Sequence, residues 1–281
     1  IFLGGSFLHL AANTYNDYFD WTSGTDQLNN DYFLQLSGGS RAIELGLITL
    51  KGTKRLAYTM LFLTVFCTLM LLINSYIVTQ TFENLSMALL IGFIGWFLGY
   101  FYTAPPLRLV AKKGLGELTI FLAFGPLITL GTAFAIFNGD LSSIDHNHLM
   151  NCLLIGVPMG LLTTNILLIN EFPDMKSDMK TNKNHLVVTF GKKASRWIYL
   201  LILGLAIYST YALASSLGNY KLLIPLVLLV LYGGYIFSVL YKKYETRELV
   251  SANWGTITLQ ALFCIGVCIT CLLYTSDAAD E

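Results

Sequence analysis

Charged residues are scarce in this sequence, and the few present balance to no net charge. Asp, Glu, Lys and Arg make up 12% of the 281 residues, and the formal net charge is +0. A soluble domain has roughly 25% charged residues. A chain of this length cannot cover itself with a water-facing surface when charge is so scarce. The neutral balance also gives no basic signal for a nucleic-acid partner, so none is expected.

The cysteines and histidines do not show the spacing of a metal site. The cysteines lie in apolar stretches without the paired pattern of a zinc site, so we assign them to packing. The four histidines are not spaced as a metal cluster either. The cysteines are Cys67, Cys152, Cys264, Cys268 and Cys271.

Long apolar stretches take the place of charge, and the mean hydropathy is +0.62. A helix that crosses a bilayer needs about 20 mostly apolar residues, and several uncharged stretches reach that length. Strands are a poor alternative, because a membrane barrel shows alternating segments of about 10 residues. The uncharged stretches are 56–73, 84–107, 118–138, 150–170, 222–241 and 251–276.

We predict an all-α, polytopic transmembrane bundle of eight helices. With eight helices, the basic loops all fall on one face of the bundle, and the other face receives only Lys221. The positive-inside rule places that basic face in the cytoplasm. The helices are expected at 1–20, 53–75, 86–102, 117–138, 148–171, 194–216, 221–241 and 251–275.

The first predicted helix ends in a polar motif. Asn13, Asp17 and Asp20 are three or four residues apart, and such residues share one face of a helix. Ionisable residues near a membrane are costly and are functional candidates by default. Asn16 lies within this motif and Asp26 follows it. The alternative is that such acids are loop carboxylates paired with nearby lysines.

The fifth predicted helix ends in the same way. Asn170 is followed four residues later by Asp174 and eight residues later by Asp178. All three share one face if the helix continues past Pro173, although a proline so late in a helix usually kinks it. The repeated spacing indicates an internal duplication, with two patches that face each other across the bundle.

Carboxylates gathered in this way repel one another unless a cation neutralises them. Mg²⁺ prefers oxygen ligands and commonly bridges one or two carboxylates to a substrate phosphate. The two patches therefore predict a site for Mg²⁺ and a diphosphate. Arg41 ends a glycine-rich turn, and Lys112 and Lys113 follow the third helix. These cations are candidates for phosphate contacts, and the alternative is the ordinary positive charge of cytoplasmic loops.

The two motifs resemble those of the UbiA superfamily of intramembrane prenyltransferases. Asn16-Asp17-Tyr-Phe-Asp20 is similar to its NDxxDxxxD region, and Asp174-Met-Lys-Ser-Asp178 to its DxxxD motif. The sequence is most similar to the branch that prenylates 1,4-dihydroxy-2-naphthoate. Four features carry that similarity: Asp17-Tyr-Phe-Asp20 with Gly24-Thr-Asp26, the Gly38-Gly39-Ser40-Arg41 turn, Tyr102-Thr-Ala-Pro-Pro with Lys113-Gly-Leu-Gly-Glu117, and Asn170 before Asp174.

The resemblance covers one domain, residues 1–270, and implies a nine-helix fold. Eight helices are expected here, with the family's first helix missing. One departure is Lys183-Asn184-His185-Leu186, which replaces the more usual Lys-x-Thr-Leu. Residues 271–281 are similar to a translated sequencing adaptor, so we expect an artefactual tail and exclude it.

The resemblance implies Mg²⁺-dependent transfer of a polyprenyl group from polyprenyl diphosphate to an aromatic acceptor in a bacterial-type cytoplasmic membrane. With 1,4-dihydroxy-2-naphthoate as acceptor, transfer with loss of CO₂ gives demethylmenaquinone. The implied Mg²⁺ ligands are Asp17, Asp20, Asp174 and Asp178, joined in catalysis by Asn13 and Asn170. The expected substrate contacts are Asn16, Asp26, Arg41, Tyr100, Tyr102, Lys112 and Lys113.

Three alternatives stay open. One alternative is that the acceptor of this protein is 4-hydroxybenzoate or another aromatic compound, as in other branches of the superfamily. A second alternative is that Tyr100 and Tyr102 have no catalytic role, because aromatic residues commonly gather at membrane interfaces. A cation transporter would also use paired acids, although no acidic residue lies in the middle of a predicted span.

Overall fold

A computed structural model describes residues 1–34, 36–80, 83–136 and 145–280, and within them every regular element is helical. The α-helices are α1 (Phe2–Thr22), α2 (Thr25–Leu28), α3 (Leu50–Thr79), α4 (Glu83–Thr103), α5 (Leu115–Leu122), α6 (Ile128–Ile136), α7 (His146–Lys180), α8 (Leu186–Leu217), α9 (Leu223–Lys243) and α10 (Val250–Asp280). Single 3₁₀ turns at Leu109–Ala111, Tyr220–Leu222 and Arg247–Leu249 precede α5, α9 and α10, and a π-helical turn at Ala123–Leu127 joins α5 to α6.

Seven segments of the described chain are long and apolar enough to cross a membrane. They match seven of the eight predicted helices, and the all-α transmembrane bundle is confirmed. The protein is an integral membrane protein. The segments are Leu50–Val78, Leu85–Thr103, Leu115–Ile136, His146–Lys180, Leu186–Leu217, Tyr220–Lys243 and Arg247–Leu273.

Helix α1 covers the first predicted helix but is not among those seven segments. The polar residues of its acidic motif lower its hydropathy. At the other end of the chain, the backbone of α10 continues through Asp280. The predicted helix end at Asn138 and the final residue Glu281 lie outside the described residues. The assignment of 271–281 to an adaptor-derived tail stays a prediction.

Helix α7 is the centre of the bundle, because it packs against α5, α6, α8 and α10. The largest apolar core lies on this side, where side chains such as Leu168, Phe172, Tyr199 and Phe263 are fully buried. A smaller apolar cluster joins α1 to α3 around Ala11, Tyr15 and Ala57. The end of α1 and the end of α7 therefore approach each other from two separately packed groups of helices.

Helix α7 continues through Pro173 to Lys180, so the expected kink does not divide the second motif. Proline has no N–H to donate to the carbonyl four residues earlier. That carbonyl belongs to Ile169, and the buried side-chain amide of Asn253 on α10 donates to it at 3.2 Å. Because the freed acceptor is satisfied from outside the helix, the chain keeps its helical course, and Asp174 and Asp178 share a face.

Small residues let α7 approach the turn between α5 and α6. A Cβ atom added to Gly125 would lie 2.6 Å from the carbonyl oxygen of Gly156 and 2.9 Å from the Cα of Gly160. Only glycine fits between two backbones this close, as at other membrane-helix interfaces. The contact brings α5, with Thr119 and Ile120, to the edge of the space between α1 and α7.

Candidate active site

A cavity of about 330 Å³ lies between α1, α4, α5, α7 and the loop that follows α2. Its size falls at the lower end of the range for small-molecule sites, roughly 300–1,000 Å³. One end of its lining is apolar, with Ala12, Gly99, Ile120, Phe124 and Leu167. The other end is polar, and its side chains include Asn13, Asn16, Asp20, Asp26, Asn29, Asn170, Asp174, Asp178 and Lys183.

The first motif contributes Asp20 to the polar end. Asp20 is 5% exposed. Its Oδ2 accepts hydrogen bonds from Asn16 at 3.3 Å and from the ammonium of Lys183 at 3.2 Å. Asn13 also lines the cavity, and its amide lies 3.1 Å from the ring of His9. The i, i+4 spacing of Asn16 and Asp20 thus produces a direct hydrogen bond on one helix face.

Asp17 points to the rim instead of the cavity lining. Its Oδ1 accepts the backbone N–H of Ser40 at 3.1 Å. A Cβ atom on Gly39, which lines the cavity, would lie 2.9 Å from that same oxygen and 3.6 Å from Oδ1 of Asp26. Asp17 and Asp26 therefore flank Gly39 at the mouth of the site.

The second motif holds the loop that closes the cavity. Asp174 accepts three hydrogen bonds: Oδ1 from Asn29 at 2.7 Å and from Ser37 at 2.9 Å, and Oδ2 from the backbone N–H of Gly38 at 3.0 Å. Asp178 is one turn further along, and its Oδ2 lies 3.1 Å from His185. This loop belongs to the first motif's half of the chain, so Asp174 joins the two motifs physically.

Lys183 lies between the two motifs. Its Nζ is 3.2 Å from Asp20 Oδ2 and 3.9 Å from Asp178 Oδ2. Burial by itself lowers the pKa of Lys183, but Asp178 and Asp20 more than offset that and hold the pKa well above its usual range. The side chain is therefore a fixed positive charge at the polar end of the cavity.

Arg41 is a structural clamp and does not line the cavity. Its guanidinium is buried and donates to the backbone oxygens of Asp26 at 2.6 Å and Asn29 at 3.3 Å. It also lies 3.9 Å from the centre of the Tyr32 ring. Arg41 thus fixes the loop that Asp174 holds, and the structure does not bring its charge to the polar lining.

The carboxyl group of Asp26 shows how much negative charge the site gathers. Burial and the neighbouring charge of Asp20 raise its pKa to about 7, against the opposing effect of Arg41 and Lys183. A buried carboxylate with this many acidic neighbours favours an additional cation.

The remaining predicted contacts divide into two groups. Tyr102 lines the cavity, and its buried hydroxyl has no hydrogen-bond partner among the described residues. Tyr100 instead packs edge-on to Tyr15, with ring centres 5.1 Å apart. Lys112 and Lys113 are exposed and do not line the cavity.

Sequence reasoning missed several residues that build the site. Asn29 and Ser37 bind Asp174, and Lys183 binds Asp20, through contacts between residues more than 130 positions apart. No local spacing reveals such contacts. The one available signal for Lys183 was its place in the segment similar to Lys-x-Thr-Leu.

The donor set fits Mg²⁺. The cavity presents carboxylates from both motifs and amide groups from Asn13, Asn16 and Asn170. These carboxylates do not form a tight cage. Among the described residues, only Glu117, Glu171 and His185 bring three ligand atoms within 4.8 Å of one another. Mg²⁺ usually keeps several waters and takes one or two carboxylates together with substrate phosphates, so widely spaced acids suit it.

Comparisons with known proteins identify the family of the chain. The profile of the UbiA prenyltransferase family matches residues 1–264. The 1,4-dihydroxy-2-naphthoate octaprenyltransferase of Escherichia coli (strain K12) is 26% identical and covers 92% of this chain and 80% of its own. UbiA prenyltransferase domain-containing protein 1 of Dictyostelium discoideum is 27% identical over 82% of this chain, which spans 64% of that relative.

A solved structure shares the fold. A UbiA homolog from Archaeoglobus fulgidus, bound to GPP and Mg²⁺, superposes with a TM-score of 0.57 at 15% identity. The match covers 96% of this chain and 88% of that one. These comparisons confirm the resemblance drawn from the two acidic motifs. The protein belongs to the UbiA prenyltransferase family.

Proposed function

We propose that this protein transfers a polyprenyl group from polyprenyl diphosphate to 1,4-dihydroxy-2-naphthoate in a Mg²⁺-dependent reaction. Family membership makes it a transferase of prenyl groups. Two similar proteins, from Escherichia coli and Haemophilus influenzae, are named for this acceptor. The observation that carries the proposal is Lys183, which contacts Asp20 and Asp178 and so joins the two acidic motifs at one cavity.

The polar end of the cavity suits the diphosphate. Asp20, Asp174 and Asp178 would hold Mg²⁺, with Asp17 and Asp26 at the rim. Bound there, Mg²⁺ supplies charge neutralisation for the diphosphate. Lys183 donates charge-assisted hydrogen bonds to phosphate oxygens, which strengthen as negative charge builds on the leaving group. The amides of Asn13 and Asn170 orient the acids or add oxygen ligands.

The apolar end suits the first isoprene units. Ala12 and Gly99 are small residues that line this end at a close approach of α1 and α4, where a Cβ atom on Gly99 would lie 3.4 Å from the Cβ of Ala12. The rest of a long chain lies between helices in the bilayer, where apolar surface is not exposed to water. The rings of Tyr102 and Phe124 line the cavity and can stabilise an allylic cation through their faces.

The proposed reaction is balanced without a redox partner. The bond between the prenyl C1 and the diphosphate oxygen breaks, and diphosphate leaves. A bond forms between C1 and the ring carbon that carries the carboxylate, which departs as CO₂ and leaves its electron pair in the ring. The product is the reduced form of demethylmenaquinone. The basic loops favour a site that faces the cytoplasm of a bacterial-type inner membrane.

A transfer assay tests the proposal. Membranes containing the full chain receive farnesyl diphosphate with either 1,4-dihydroxy-2-naphthoate or 4-hydroxybenzoate, and products are identified by mass spectrometry. We expect a prenylated dihydroxynaphthalene product that has lost the carboxyl group, requires Mg²⁺ and falls about 100-fold or more in Asp174→Asn. Asp145→Asn is the matched control, since Asp145 caps α7, contacts His148 and does not line the cavity. Transfer to 4-hydroxybenzoate alone would show that it, and not 1,4-dihydroxy-2-naphthoate, is the acceptor. Unchanged transfer in chelator would contradict the metal site.

A further inference from the structure

A buried histidine lies between two acids of α7 and lines the cavity beside the second motif. His185 is 1% exposed and precedes α8. Its Nε2 lies 3.1 Å from Oδ2 of Asp178, and its Nδ1 lies 3.1 Å from Oε2 of Glu171. Glu171 and Asp178 are two turns apart on α7, so the imidazole ring spans the face that presents the second motif.

The protonation of this ring follows from what its neighbours need. The backbone N–H of Val188 also points at Nδ1, at 3.3 Å, so Nδ1 either accepts from Val188 or donates to Glu171. Glu171 is 5% exposed, and neither of its carboxylate oxygens makes a hydrogen bond within the described part of the chain. Nδ1 therefore accepts the N–H of Val188, and Nε2 carries the proton and donates to Asp178.

Glu117, Glu171 and His185 form a close trio, in which three ligand atoms lie within 4.8 Å of one another. Within it, the ring of His185 lies 3.1 Å from Glu171 through Nδ1 and 3.1 Å from Asp178 through Nε2.

A third helix, α5, is hydrogen-bonded to the segment that contains His185. Glu117 on α5 is 3% exposed, and its Oε1 accepts the backbone N–H of Leu186 at 2.7 Å. This bond holds the residue next to His185, while Lys183, two residues before it, reaches the cavity. Helices α5 and α7 and the start of α8 thus meet at one buried polar cluster next to Asp178.

We propose that His185 is a positioning residue that orients Asp178 for Mg²⁺ and the diphosphate, an inference that rests on the proposed function. Oδ2 of Asp178 is held by His185 and Lys183, and Oδ1 makes no hydrogen bond within the described part of the chain. The ring therefore leaves one carboxylate oxygen for the cavity. A threonine, as in the more usual Lys-x-Thr-Leu, has one neutral hydroxyl and cannot bridge both acids.

The test measures metal binding directly and does not depend on turnover. Purified full chain in detergent is titrated with Mn²⁺ in the presence of inorganic diphosphate, and bound Mn²⁺ is followed by electron paramagnetic resonance. Loss of a group that orients a metal ligand typically weakens metal binding about 10–100-fold. We expect that loss in His185→Ala and a smaller one in His185→Gln, which keeps a neutral donor toward Asp178. Glu171→Gln should weaken binding in the same direction.

Controls separate a positioning role from general damage. His148→Gln changes a histidine whose side chain is 82% exposed, and it should bind Mn²⁺ as the unaltered chain does. In the transfer assay, His185→Gln should raise the KM for prenyl diphosphate and leave the KM for the aromatic acceptor unchanged. Thermal unfolding identifies which variants retain the fold. If His185→Ala does not fold, Mn²⁺ binding by Glu171→Gln is compared with that of the unaltered chain instead.

The outcomes distinguish this inference from the function on which it rests. If His185→Gln and Glu171→Gln bind Mn²⁺ as tightly as the unaltered chain while Asp178→Asn does not, His185 has no positioning role and the proposed function stands. If Asp178→Asn also binds normally, or the unaltered chain binds no Mn²⁺, both fail. Loss of one tightly bound Mn²⁺ per chain in Glu117→Gln, with the diphosphate-dependent ion retained, would make the trio a metal site and overturn the inference.

Discussion

The ammonium of Lys183 lies 3.2 Å from the carboxylate of Asp20, although the two residues are 163 positions apart. One follows the end of α7, and the other lies at the end of α1. Both side chains are largely buried, with 14% and 7% of their surfaces exposed. This pair connects the two acidic motifs, and it places a fixed cation where the proposed diphosphate binds.

Replacing Lys183 by methionine should harm both folding and transfer. Removing one member of a buried ion pair leaves the acids uncompensated, which costs about 3–5 kcal/mol of unfolding free energy. Loss of the donor should lower the transfer rate about 100-fold or more. Thermal unfolding and initial rates in membranes measure the two effects. Lys176→Gln is the control, because Lys176 pairs with Asp31 at the surface. Equal transfer rates in Lys183→Met and Lys176→Gln would show that Lys183 has no role in transfer.

Asn253 and Pro173 should be energetically coupled. Asn253 donates to the carbonyl of Ile169, the acceptor that Pro173 leaves free, so Asn253→Ala should cost about 1–3 kcal/mol of unfolding free energy. In a Pro173→Ala background, a restored backbone N–H takes that carbonyl, and the same change should cost less. Unfolding of the two single variants and the double variant measures the coupling. An equal cost in both backgrounds would contradict this explanation for the unbroken helix.

Gly38 should resist substitution more strongly than Gly46. Both have positive φ, +73 and +70 degrees, so an alanine strains the backbone at either position. At Gly38 the added Cβ would also lie 2.5 Å from Nη2 of Arg41, whereas nothing lies within 4 Å at Gly46. Gly38→Ala should therefore displace the loop that Asp174 holds and raise the KM for prenyl diphosphate. If Gly46→Ala raises that KM equally, backbone strain alone is responsible.

Lys112 and Lys113 should contribute little to diphosphate binding. Both are exposed and do not line the cavity, and exposed charges in high dielectric contribute little. The double variant Lys112→Gln/Lys113→Gln should keep its KM for prenyl diphosphate within about twofold. Steady-state kinetics at one fixed acceptor concentration measures it. A tenfold rise in the KM for prenyl diphosphate would show that these lysines contribute to diphosphate binding, as the sequence predicted.

The fold was predictable because its signals are local. Uncharged stretches of sufficient length identified the membrane helices. Helical spacing grouped Asn13, Asp17 and Asp20 on one face, and of these Asn13 and Asp20 line the cavity. The rule that proline disturbs a helix is also local, and it could not decide whether the helix continues past Pro173, as it does. The group that compensates for the missing N–H is Asn253, on a helix that comes 80 residues later.

Of the site residues, only the acidic ones were predictable from the sequence. Spacing selected Asp17, Asp20, Asp174 and Asp178, and the last three line the cavity whereas Asp17 does not. The cations were harder to place, because a basic residue in a loop has the same local signal whether it points into the site or into water. Arg41 clamps the loop, Lys112 and Lys113 lie at the surface, and Lys183 reaches the acids. Only tertiary contacts distinguish these cases.

A double-variant cycle on Asp20 and Asp178 tests most directly whether the two motifs form one site. Prenyl transfer to 1,4-dihydroxy-2-naphthoate is measured for Asp20→Asn, Asp178→Asn and the double variant across a Mg²⁺ titration. Residues that act on one bound group are strongly non-additive. The double variant should therefore lose little more activity than the worse single variant. Losses that multiply, with an unchanged Mg²⁺ requirement in both single variants, would show that the motifs act separately and would contradict a shared magnesium–diphosphate site.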